Sequence, residues 1–136
     1  MAADIPEGKE AQVQEALWSA RFGSAVVSER PDELLVEKHR LAEVAKHLRD
    51  DPDLGYDYCT NVTSVDYPDC FEVVYHLLSI SKGKGILTLK TRTAKDDPVV
   101  PSLTPIWPAA NFQEREVWDL MGVRFEGHPN LRRILL

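Results

Sequence analysis

Between residues 57 and 93 the chain carries three β-rich runs, roughly 57–66, 71–80 and 85–93, each pair separated by a turn signal. Tyr67-Pro68-Asp69 joins the first two runs and Lys82-Gly83-Lys84-Gly85 the last two, so the stretch predicts hairpin-connected strands. Strands of that kind need a second layer over one face, and the flanking sequence supplies it. Val13, Ala16, Leu17 and Ala20 fall at helical spacing over 9–22, with Gly23 as a stop. Leu41, Val44, Ala45 and Leu48 make a second helical stripe that ends before Pro52. AVVS (25–28) and ELLVE (33–37) predict a short hairpin around Arg30-Pro31-Asp32. Asp96-Asp97-Pro98 opens a proline-rich connection to Pro108, in which Thr104-Pro105 predicts a capped first turn. A main helix then runs from near Ala109 to Gly122. The expected fold is α+β: a two-layer sandwich with a mostly antiparallel sheet of about five strands and the helices on one face. The chain of 136 residues suits a single domain, 1–136.

Charge narrows the function. Sixteen Lys+Arg against 22 Asp+Glu give a net charge of -6, a sign that repels phosphate backbones and argues against nucleic acid as a partner. Residues 111–136 are an exception to that acidity. Glu114, Glu116, Asp119 and Glu126 balance Arg115, Arg124, Arg132 and Arg133, and none of these bases is Lys. Arg suits desolvated ion pairs better than Lys, which hints at an interface. The N-terminus lacks the basic and apolar regions of a signal peptide, and no apolar run approaches the ~20 residues that span a bilayer. Any membrane link is therefore expected through a partner.

Several cofactor motifs are absent or only superficial. Cys59 and Cys70 form no C-x-x-C, and the expected register sets Cys59 opposite a residue near Leu78, so two reduced thiols are predicted. The four histidines, 39, 47, 76 and 128, show no paired ligand spacing, and His76 is expected on the surface or on an edge strand. Lys82-Gly83-Lys84-Gly85 lacks the spacing of a phosphate loop and leads into a strand, so it is a hairpin turn. Asn61-Val62-Thr63 matches a glycosylation sequon but lies in a predicted strand.

The closing segment, NFQEREVWDLMGVRFEGHPNLRRILL, holds the densest set of candidate functional residues. At about 100° per residue, with Phe112 at zero, Leu120 falls near 80°, Val117 near 140° and Met121 near 180°. Ala109 and Ala110 join them at about 60° and about 160°, one apolar stripe expected to face the sheet. Arg115 and Asp119, an i, i+4 pair, and Trp118 lie off that stripe, with Phe112 beside them. Exposed aromatic plus Arg is the composition of binding hot spots; a solvated ion pair beside an incidental Trp is the plainer alternative. Acid–base catalysis fits less well, because Glu114 and Glu116 are about 200° apart on the helix. No Ser or Cys nucleophile accompanies His128 in this segment. A free-standing enzyme using His128 with Glu114 or Glu116 stays an alternative from another class, and an adaptor a third.

The string Glu114-Arg115-Glu116, two residues, Asp119, Leu120-Met121, six residues, His128, three residues, Arg132, one residue, Ile134-Leu135 resembles the signature of the 30-kDa subunit family of respiratory complex I, the NADH:quinone oxidoreductase. The resemblance covers most of the chain and is strongest from about residue 57 onward. It implies a peripheral-arm subunit of a proton-translocating enzyme, with no active site on this chain and no cofactor of its own. FMN, iron–sulfur clusters and the quinone site would belong to partners: the large quinone-site subunit and neighbouring iron–sulfur subunits. The implied location is peripheral, on the cytoplasmic face of the cell membrane. Glu114, Arg115, Glu116, Trp118, Asp119, His128 and Arg132 become the expected subunit interface. A related membrane-bound hydrogenase or a ferredoxin- or F420-linked complex carries an equivalent subunit and is the nearest alternative. Family members continue past the Arg-Ile-Leu with a polar tail that wraps a neighbouring subunit. This sequence ends at Leu136, a departure that leaves tail contacts open.

Overall fold

The computed structural model describes residues 18–129. Residues 18–22 are helical, while the rest of the helix expected over 9–22 lies outside the described residues. Strands β1 (Val26–Arg30) and β2 (Glu33–Val36) form the expected hairpin. Helix α1 (Leu41–Asp50) follows, then the long strands β3 (Tyr58–Asp66), β4 (Cys70–Ser79) and β5 (Lys84–Ala94). These make one sheet in the order β1-β2-β5-β4-β3. β2 runs parallel to β5, and the other three junctions are antiparallel.

The side-chain period of two sends alternate residues to opposite faces. Leu34 and Val36 of β2, Leu87 and Leu89 of β5, Val73, Tyr75 and Leu77 of β4, and Cys59 and Val62 of β3 are buried on the face that meets the helices. Onto it α1 brings Leu41, Val44, Ala45 and Leu48, all fully buried, the i, i+3, i+4, i+7 stripe expected of it. The helical residues before Gly23 pin the end of α1. Phe22 meets His47 edge-on at 5.3 Å, and Arg21 pairs with Asp51 at 2.5 Å.

Cys59 faces Leu77, in line with the register expected near Leu78, and a bulge follows between Cys59 and Asn61. Both cysteines remain free, Cys59 buried and Cys70 half-buried. His76 is not on an edge strand: β4 lies between β3 and β5, and His76 pairs with Asn61 and Thr88. The proline-rich connection contains a strand, β6 (Val99–Pro101), paired in parallel with β7 (Arg124–Glu126). Three-residue strands are too short to show alternation, so neither was visible in the residue pattern. Helix α2 (Asn111–Met121) runs between them, entered through a 3-10 turn at Pro108–Ala110 and ended by Gly122 at φ 79. No helix among the described residues is long and apolar enough to cross a membrane.

The two faces of the sheet should respond differently to truncation. Leu89→Ala opens a cavity in the core and is expected to cost about 2–5 kcal/mol. Ile86→Ala, at a side chain 53% exposed on the other face, should cost less than about 0.5 kcal/mol. Urea denaturation of the full chain reads both values, and equal costs would mean that the sheet is covered on both faces.

Candidate functional site

The rotation of α2 differs from the apolar stripe. Ala110, Glu114 and Val117 are buried, and Met121 and Trp118 pack partly buried against the core. Leu120, expected inside, is 73% exposed, and Phe112 is 52% exposed. Ala109 is also exposed. The inward face is therefore centred near about 180° on the wheel rather than about 100°, and Trp118 belongs to its margin.

Glu114 is the reason. Its side chain has no exposure, and its carboxylate accepts four hydrogen bonds. Tyr75 Oη on β4 donates at 2.6 Å, Ser102 Oγ at 2.6 Å, the Leu103 backbone N–H at 2.8 Å and Thr104 Oγ1 at 2.9 Å. Thr104 thus spends its hydroxyl on Glu114 rather than capping a turn. Four acceptor positions is about what a carboxylate offers, so this buried group is satisfied. The His128 side chain is equally unexposed; its Nε2 lies 3.1 Å from the Asn111 carbonyl and 4.0 Å from Glu114 Oε1. Next to Glu114, Gln113 caps the free edge of β3. The Val62 N–H donates to Gln113 Oε1 at 2.6 Å, and Gln113 Nε2 donates to the Thr60 carbonyl at 3.4 Å.

Two ends of α2 are tied by the short sheet. Ser102 N donates to the Glu126 carbonyl, and Arg124 N to the Pro98 carbonyl, extending the β6–β7 ladder on either side. Trp107, 1% exposed, donates its indole N–H to the Tyr56 carbonyl at 2.8 Å. The other signature residues face outward or sit at the rim. Glu116 is exposed, Arg115 and Asp119 are half-buried, and Arg132 lies outside the described residues. Arg115 Nε is buried without a hydrogen-bond partner, as is Asn111 Oδ1 one turn earlier.

Chemically, Glu114 and His128 do approach one another, as an acid–base pair would. Both are sealed from solvent, however, and Glu116 points the other way. Neither of the surface cavities beside Lys38 and His39, about 250 and about 80 Å³, is lined by Glu114, Glu116 or His128. Among the described residues no group of three or more His, Cys, Asp or Glu side chains is placed to hold a metal. Tyr75, Ser102 and Gln113 were not singled out in the sequence, and Thr104 was read only as a turn cap. Only Tyr75 carried a signal, since a phenol in a core-facing strand position needs a partner for its hydroxyl.

The fold is one found in solved respiratory proteins. A trypsin-resistant fragment (1–134) of Nqo5 superposes with a TM-score of 0.64 at 32% identity, over 73% of this chain and 81% of that one. A chain of the membrane-bound sulfane sulfur reductase, an archaeal respiratory membrane complex, gives 0.69 at 27% identity over 96% and 77%. An NADH-quinone oxidoreductase subunit of Roseiflexus castenholzii is 46% identical, covering 100% of this chain and 78% of that protein. Its counterpart from Herpetosiphon aurantiacus is 40% identical over 87% and 71%. Residues 34–136 match the model of the respiratory-chain NADH dehydrogenase 30 kDa subunit, and the chain belongs to that family.

Two measurements probe this site. Trp118→Ala removes a ring packed on the core and should destabilise the full chain by more than about 1 kcal/mol, whereas Leu120→Ala should stay within about 0.5 kcal/mol. The reverse order would restore the stripe centred on Leu120. The second measurement is alkaline stability. Burial, with the Glu114 charge adding to it, pushes the Cys59 thiol up to about 12, and burial beside Glu114 raises the Tyr75 phenol well above its usual value. Both groups are neutral when protonated and must stay so in the fold. Their stabilisation is complete below the unfolded values, about 8.5 for the thiol and about 10 for the phenol. It is lost as pH rises through the folded ones, by up to about 1.4 kcal/mol per pH unit for each group. Urea midpoints should therefore fall from about pH 9 upward, and Cys59→Ala should shallow that fall; a flat profile to pH ~11 would contradict the buried pair.

Proposed function

We propose that this chain is a cofactor-free subunit of the peripheral arm of a proton-translocating NADH:quinone oxidoreductase, where it docks on the large quinone-site subunit. The family match over residues 34–136 carries this reading. The fold supports it: α2 presents an outward face on which Phe112 and Leu120 are exposed, which suits a part that is held by a partner. In this reading FMN, iron–sulfur clusters and quinone are bound by other subunits, namely the large quinone-site subunit and its iron–sulfur neighbours. The chain works as one domain, 1–136, and sits on the cytoplasmic side of the cell membrane through its partners alone. Arg115, Glu116, Trp118 and Asp119 lie at or near the contact, with Arg132 continuing it. Glu114 and His128 serve it from inside by holding the helix in place.

A second reading has its own support in the likeness to the sulfane sulfur reductase chain, which spans 96% of this one. An equivalent arm in a hydrogenase-related or ferredoxin- or F420-linked complex would use the same kind of subunit with another electron donor. Copurification from gently solubilised membranes separates the two. Recovery with flavin-bearing NADH-oxidising subunits and a quinone-site subunit supports the first reading; recovery with a ferredoxin-linked set supports the second. The purified chain alone should contain no stoichiometric iron, zinc or flavin by metal analysis and visible absorption. A flavin band or one metal per chain would overturn the cofactor-free assignment.

A further inference from the structure

We draw no further inference here: the strongest candidate, the surface cavity at the end of β2 lined by Lys38, His39 and Arg92, carries nothing, since Lys38 donates to the Thr93 hydroxyl and the Val99 carbonyl, Arg92 is paired with Glu72, and Glu37 lines the same cavity.

Discussion

A buried carboxylate sets the geometry of this protein. Removing Glu114 from water costs several kcal/mol unless its oxygens are fully hydrogen-bonded. The donors come from separate parts of the chain: Tyr75 in β4, and Ser102, Leu103 N and Thr104 in the segment after β6. All must be in place at once, so the carboxylate links the sheet, the strap over it and α2. That requirement, rather than apolar periodicity, selects the rotation of the helix. With Glu114 turned inward at about 200°, Phe112 at zero must face out, and Leu120 follows it. The hydrophobic side chains on the outer ridge are thus a consequence of satisfying a polar group inside.

The elements that could be read from the sequence are those whose stability comes from long regular patterns. The stripe Leu41-Val44-Ala45-Leu48 predicted α1, and the three β-rich runs with their turn residues predicted β3, β4 and β5 to within about two residues. A bulge follows Cys59, whose partner Leu77 lies within the expected register near Leu78. Tertiary terms decided the rest. β6 and β7 hold together only because α2 brings residues 99–101 and 124–126 side by side. The helical wheel of α2 misplaced Leu120 because a wheel ranks Glu outside and Leu inside, and here a network of donors distant in sequence reversed both. The signature string itself was legible as a string; which of its members face in and which face out was not.

Seen in the structure, that signature divides by direction. Glu114 points inward, and the ring of His128 closes over the start of α2 through the Asn111 carbonyl. Arg115, Glu116 and Asp119 lie on or beside the outer ridge with Phe112 and Leu120. Inward members make one helix orientation the only satisfied one, and a fixed orientation presents the outward members at a defined angle. Rigid presentation lowers the ordering cost of association, which suits a subunit held within a larger assembly.

Hydroxyl-radical footprinting of the full chain, free and within the purified respiratory complex, tests this division most directly. Phe112 and Leu120 should be oxidised readily in the free chain and strongly protected in the complex, while Tyr75 and Trp107 should be protected in both. Equal oxidation of Phe112 and Leu120 in the two states would show that the outer ridge of α2 meets no partner, and would contradict the assignment of that face to assembly.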